Sequence, residues 1–437
     1  MENTDTNILW KSSTENALWK DNAPLQLMPG NDVCDIETDV SIQFQTMDTH
    51  PWGGCFNERG WDAMKNLSES ERTDVINALF GDEGLKLTAA RIPMAASDYA
   101  IEPYSYDETE NDYEMQDFSI ERDNENLLPY IRKALEIQRG ITFFSTPWTP
   151  PSWIKKSHSL IGGEIDFTPE NMRAYAQYFV KYIRAYRSEG INLKAITVQN
   201  EPTVSTPYTS CLWSGEQLNG FIRDYLYPAI EKENIDIEIW LGTFTDSNKE
   251  LAIPALTDNV TSQYISAVAF QWWGAPLASE IYKNGKAPRL VQSETKCGDG
   301  KNDWAYAEEQ FDCFKEFLDA GVNQYFLWNM VLDEIGMNTE KWRQNSPLTV
   351  NRKNGEIIYN PSYYLTKHFS WFIASRAVRI KTTGTYYDMI AFKNPDGKIV
   401  LEVKNSSNEP VCTSIKINGG IIKSVLEAHS INTFRTV

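Results

Sequence analysis

The chain has 437 residues, too many for one ordinary domain and suited to a large domain with a smaller companion. Hydrophobic residues make up 41%, enough for a sizeable core, and no run of about 18 or more apolar residues offers a membrane span. A formal net charge of −19 repels phosphate backbones and anionic lipid, which argues against nucleic acid and membrane surfaces as partners and leaves room for a neutral ligand.

In chain order, the segment Met1–Lys11 is polar and lacks the basic and apolar regions of a signal peptide. The expectation is a cytoplasmic protein as written, or a secreted one if a leader has been trimmed. Residues 1–46 look strand-like and stand apart from the long middle of the chain. There, short apolar runs alternate with amphipathic ones, the pattern of parallel βα units. Ser68 and Glu71 form a capping box for a helix carrying Val75, Ile76, Leu79 and Phe80, which Gly81 stops. Thr168 and Pro169 open a second helix, ending near Gly190; Ser214 and Gln217 open a third; a fourth spans about Asp303 to Gly321.

Strands are predicted near Trp52–Phe56, Leu87–Arg91, Thr142–Ser145, Ala195–Gln199, Glu238–Thr243, Ala267–Gln271, Leu290–Ser293 and Gln324–Trp328. Eight strands interleaved with helices predict a (β/α)8 TIM barrel over residues 47–374. From about Ser375 the helices stop. The runs Ala377–Lys381, Tyr387–Lys393, Ile399–Lys404, Thr413–Lys416 and Ile421–Leu426 read as strands, with a turn at Pro395-Asp396-Gly397. The fold class is therefore α/β, with an all-β sandwich side domain built from 1–46 plus 375–437.

The six cysteines contain no CxxC pair, and the four histidines no HExxH, so neither a metal site nor any other cofactor is expected. The 14 tryptophans fit a cleft in which indole faces stack on sugar rings, although core packing explains a share of them. In a TIM barrel, working groups follow the C-terminal ends of the strands. Glu201 follows the fourth strand and Glu294 the seventh, on opposite sides of one barrel mouth. Two such carboxylates are what glycoside hydrolysis needs, one protonated and one ionised, about 5–5.5 Å apart in a retaining enzyme. Arg91, after the second strand, would keep the nucleophilic member ionised, and Asn200 would hold the sugar 2-hydroxyl. Against this, a lone Glu after a strand is often a helix cap or an ion-pair partner, and 60 acidic residues offer many chance pairs.

The motifs narrow the choice. Gly53-Gly54-Cys55-Phe56-Asn57-Glu58, Arg91-Ile92-Pro93-Met94-Ala95, Ser97-Asp98-Tyr99, Ser145-Thr146-Pro147-Trp148-Thr149-Pro150-Pro151-Ser152-Trp153, Val198-Gln199-Asn200-Glu201-Pro202, Phe326-Leu327-Trp328-Asn329 and Asn360-Pro361-Ser362-Tyr363-Tyr364 occur in consistent order. Together with Ser293-Glu294 they resemble glycoside hydrolase family 30 of clan A, the glucosylceramidase and β-1,6-glucanase type. The resemblance implies a carbohydrate substrate and retention through a covalent glycosyl-enzyme. It implies Glu201 as acid/base, Glu294 as nucleophile and Arg91 as the nucleophile's partner. Asp98, Trp148, Asn200 and Trp328 are implied as sugar contacts.

One departure stands out. After the sixth strand the family commonly shows His-Trp-Tyr, with the Tyr hydroxyl bonded to the nucleophile. Here the run is Gln271-Trp272-Trp273, so Trp273 is expected at the substrate, orienting Glu294 through an N–H that can only donate. Asp98 and Trp148 favour a β-glucosidic bond: β-1,6-glucan, a glucosyl conjugate or a glucosylceramide-like molecule. The same machinery on β-xylosides, β-fucosides or β-galactans is the alternative. A sugar-binding protein without catalysis is more remote, because both carboxylates are present.

Overall fold

The computed structural model describes residues 7–285 and 289–437; the expected side-domain residues 1–6 lie outside the described residues. Each of the eight predicted barrel runs is a strand: Trp52–Cys55, Ala89–Met94, Thr142–Pro147, Leu193–Thr197, Glu238–Phe244, Ile265–Gln271, Leu290–Glu294 and Gln324–Asn329. They pair in parallel, each with its sequence neighbours, and the eighth closes on the first. Below we call them the first to eighth barrel strands.

The barrel interior is filled by small and large side chains in alternation: Ala89, Phe144, Ala195, Trp240, Ala267, Ala269, Val291 and Phe326. That filling explains Gly53 on the first strand. A Cβ there would lie 2.4 Å from the Phe326 ring, so only glycine lets the aromatic ring occupy the lumen. Outside the barrel, helices bury their apolar stripes against the strands. The helix Glu69–Phe80 has both bonds of the Ser68/Glu71 capping box, and Gly215–Phe221 both bonds of the Ser214/Gln217 box. Thr168 caps Pro169–Ser188, whose Tyr175, Tyr178, Phe179, Tyr182 and Ile183 are buried. Among the described residues no helix is long and apolar enough to cross a membrane.

Both chain ends contribute to the second unit. Asn7–Thr14 pairs antiparallel with Ser430–Thr436, and Ile36–Thr46 with Val378–Gly384. These strands join Met389–Lys393, Ile399–Asn405, Val411–Ile417 and Gly420–Leu426 in one hydrogen-bonded path. The path forms a β-sandwich around Ile8, Ile36, Ile380, Leu401, Val403, Ile415 and Phe434. Other apolar residues on the opposite faces of its strands, Ile390, Phe392, Val400 and Ile431, belong to the same continuous core as the barrel. The sandwich packs against the last barrel helix, Pro361–Phe372, through its strands Ser430–Thr436 and Ile399–Asn405.

Candidate active site

Residues on, or just after, seven of the eight barrel strands meet at the barrel's C-terminal mouth. The seventh strand ends on Glu294 itself. The fourth ends at Thr197, and the chain then turns through Asn200 and Glu201. Glu201 has φ of 47°, in the left-handed region. Such a conformation costs a non-glycine residue about 1–2 kcal/mol and is found where surrounding structure fixes it. Two features fix it here. Pro202 disfavours the right-handed helical region for the residue before it. Backbone bonds clamp both sides, from Asn200 N–H to the Pro147 carbonyl at 2.8 Å and from Trp213 N–H to the Pro202 carbonyl at 2.8 Å.

Arg91 is wholly buried and organises the floor. Its Nη1 donates to Glu294 Oε2 at 2.6 Å, and its Nη2 to Asn200 Oδ1 at 2.6 Å. The guanidinium lies 4.5 Å from the Trp148 ring centroid and 5.8 Å from that of Trp328. Asn200 Oδ1 also accepts from Thr243 Oγ1 at 3.0 Å. Its oxygen is thus occupied, and what the amide offers a ligand is its NH2. Trp148 and Trp328 are buried and stack at 5.4 Å. Asp98 is buried beside them; Asn338 Nδ2 lies 3.4 Å from its Oδ2, and Thr339 N–H donates to its carbonyl at 2.9 Å.

The sixth strand lies between the two glutamates in the barrel order and touches both. Gln271 Nε2 donates to Glu201 Oε1 at 2.8 Å. Trp272 Nε1 donates to Glu294 Oε1 at 3.1 Å. This corrects the expectation for Trp273, which makes no bond to Glu294 and stands 62% exposed at the rim. The expectation sets Trp273 at the position of the family's tyrosine, the third of its His-Trp-Tyr run. The chain instead adopts φ of 52° at Trp272, and it is this second position whose indole N–H meets the carboxylate.

Burial is the main force on the acids. It pushes Glu201 up to about 8, helped by the negative charge of Glu294. Glu294 is also raised by burial, but Arg91 and the Trp272 N–H oppose this, so Glu294 is the member that ionises first. Asp98 rises to about 7, again by burial first and the Glu294 charge second. One guanidinium faces three buried carboxyls, and the 2.6 Å contact gives its charge to Glu294.

The structure therefore gathers Arg91, Asp98, Trp148, Asn200, Glu201, Glu294 and Trp328 around one cup and leaves Trp273 on its edge. Sequence reasoning missed Gln271, Trp272, Thr243 and Asn338. It also missed Tyr208, a half-buried ring on the loop after Glu201. Its ring packs against the cluster that holds Tyr99, Trp148 and Trp328, and burial, then the negative charges of Asp98, Glu201 and Glu294, pushes its hydroxyl up. Only Gln271 carried a signal: it is a strand-end side chain in phase with the barrel interior.

Residues 50–373 match the glycosyl hydrolase family 30 TIM-barrel domain, and residues 377–434 match the glycosyl hydrolase family 30 beta sandwich domain. The chain is 27% identical over 415 residues to the lysosomal acid glucosylceramidase of Mus musculus, covering 88% of this chain and 80% of that protein. It is 24% identical over 396 residues to an endo-1,6-beta-D-glucanase of Neurospora crassa, covering 86% and 82%. The crystal structure of SrfJ from Salmonella typhimurium superposes with a TM-score of 0.90 at 22% identity, covering 98% of this chain and 99% of that one.

Proposed function

The chain belongs to glycosyl hydrolase family 30 and is a β-glycoside hydrolase, and from that premise we propose that Glu201 is its acid/base, Glu294 its nucleophile and a β-glucosidic bond its target. One observation carries the division of roles. Arg91 pairs with Glu294 and not with Glu201, so the two buried carboxyls are driven into opposite protonation states.

In the first step Glu294 attacks the anomeric carbon as the glycosidic bond breaks. Glu201 gives its proton to the departing oxygen, and a glycosyl ester forms on Glu294. Esterification removes the negative charge that helped to raise Glu201. Its pKa then falls, and it accepts a proton from the water that hydrolyses the ester. The Asn200 NH2 holds the 2-hydroxyl, Asp98 takes a further sugar hydroxyl, and the Trp148 and Trp328 walls close around the ring. Support for glucose comes from the relatives, whose names are glucosylceramidase and 1,6-β-glucanase, and from Asp98 and Trp148.

The test is Glu201→Gln against a series of β-glucosides. Unactivated leaving groups should lose on the order of 10³-fold in rate, whereas a dinitrophenyl glucoside, which departs without a proton, should lose about tenfold or less in the first step. Equal losses across the series would remove Glu201 from the acid role.

A further inference from the structure

The cup is closed on one side. Trp148, Trp328, Asp98 and Tyr99 are all buried, so no second ring can extend past them. The substrate beyond the cleaved bond has to leave over the rim. There an aromatic wall runs outward from the nucleophile without a break. Trp272, bonded to Glu294, lies 5.5 Å from Trp273 and 5.8 Å from Trp342. Trp273 is 62% exposed and Trp342 39%.

Both outer tryptophans are held through their backbone. The Trp273 backbone N–H donates to the Thr245 carbonyl at 2.9 Å. Trp342 is held through Asn338: its backbone N–H donates to Asn338 Oδ1 at 2.9 Å, and its carbonyl accepts from the Asn338 N–H at 3.0 Å. Asn338 is also the residue whose amide lies beside Asp98, so the wall and the cup share a support.

We infer that Trp273 and Trp342 form the platform for the saccharide ring on the leaving-group side, so that this chain takes a gluco-oligosaccharide or glucan and not a lipid glucoside. The inference rests on the role of Glu294 given above. The indoles tilt by 36° and 33° from Trp272, presenting separate facets of ring size and not a trough for an alkyl chain. The Lys296 ammonium stands 5.7 Å from the Trp273 ring centroid. It can donate to sugar hydroxyls and is a poor neighbour for hydrocarbon.

The experiment compares wild type, Trp273→Ala, Trp342→Ala and the double variant on three kinds of substrate. These are 4-nitrophenyl β-glucoside, β-1,6-, β-1,3- and β-1,4-linked glucotrioses, and glucosylceramide in mixed micelles. Each ring contact is worth about tenfold. The double variant should therefore lose about 100-fold in kcat/KM on the preferred trisaccharide, at least tenfold more than on the aryl glucoside. Parallel losses on both, no loss on the trisaccharide, or a selective loss on glucosylceramide would each overturn the inference.

Calorimetric binding of the trisaccharides to Glu201→Gln separates the two claims. Binding that weakens when the tryptophans are removed supports the platform even where wild type turns over none of the trisaccharides, and missing wild-type turnover then counts against the proposed glutamate roles. A Glu201→Gln protein with its tryptophans intact that binds none of the trisaccharides overturns the platform.

Discussion

The barrel mouth and the junction between barrel and sandwich each bury a glutamate, and the two sites behave in opposite ways. At the mouth, Glu201 and Glu294 share their surroundings with Arg91. At the junction, Glu402 on the strand Ile399–Asn405 is fully buried and accepts a hydrogen bond from Thr433 Oγ1 at 2.6 Å. Thr433 lies 2.6 Å from His368 Nδ1, and His368 Nε2 lies 2.9 Å from Ser13 Oγ. By connectivity alone this Ser–His–Thr–Glu chain looks like a proton relay. Burial holds His368 neutral, down to about 3, and pushes Glu402 well up. No cation among the described residues pairs with Glu402, so it stays protonated and serves as a hydrogen-bonding group. Burial thus raises carboxyls in both places, and two of them are driven to opposite protonation states only where a guanidinium takes one carboxylate and leaves its neighbour the proton.

The comparison breaks most sharply if the cation is removed. Arg91→Met strands Glu294 in a buried site without its partner. Losing one side of such a pair is worth about 3–5 kcal/mol, or roughly 10²- to 10⁴-fold in kcat/KM. The sign of the pH effect is fixed as well. Glu294 must be ionised to attack, and Arg91 lowers its pKa, so the acid limb of the kcat/KM profile should move to higher pH in the variant. An acid limb that stays in place would separate Arg91 from the nucleophile's charge. Wild type should also lose activity as pH rises past the Glu201 value of about 8, because the leaving group then has no proton donor.

A smaller step in the same direction is Trp272→Phe. It keeps an aromatic ring against the cup but deletes the N–H that donates to Glu294 at 3.1 Å. A hydrogen bond to a charged group is worth about 1.5–3 kcal/mol, so kcat should fall roughly 10- to 100-fold, with a weaker upward move of the acid limb. Trp273→Phe, by contrast, should leave that limb where it is. If Trp273→Phe moved the limb and Trp272→Phe did not, the orientation of the Gln271-Trp272-Trp273 turn would be wrong.

How far the sequence reached is governed by the same physics. The eight barrel strands and the capping boxes at Ser68 and Ser214 rest on patterns a few residues long, and each was readable. Glu201 and Glu294 were readable because strand ends in a barrel converge. The strand Ser430–Thr436 was passed over because it reads as Ser-Ile-Asn-Thr-Phe-Arg-Thr, with no clean alternation. It needs none, since it is inserted between Asn7–Thr14 and Ile399–Asn405, where both faces are largely covered. Trp272 and Trp273 were exchanged because the expectation carried over the third position of the family's His-Trp-Tyr run, whereas here a positive φ at Trp272 accompanies a bond from the second position to Glu294. Tyr208 and Asn338 reach the cup from loops whose paths depend on contacts far away in sequence, and no local rule places them.

The gentlest perturbation tests the other half of the comparison. Glu402→Gln keeps an acceptor for Thr433 and removes a titratable group that burial holds protonated. In wild type the folded state keeps the Glu402 proton, while the unfolded chain releases it above the ordinary glutamate range. The folded state then binds more protons, and stability falls as pH rises, by about 1.4 kcal/mol per pH unit across that window. Glutamine cannot titrate, so the variant lacks this slope. Melting temperatures at pH 5, 6, 7 and 8 should diverge, with the variant gaining roughly 2 °C per pH unit over wild type. Turnover should stay within about twofold, because Glu402 lies at the junction and not at the mouth. Parallel melting curves across the series would mean that Glu402 is ionised in the folded protein. The contrast between a buried acid with a cation and one without would then fail at its simpler end.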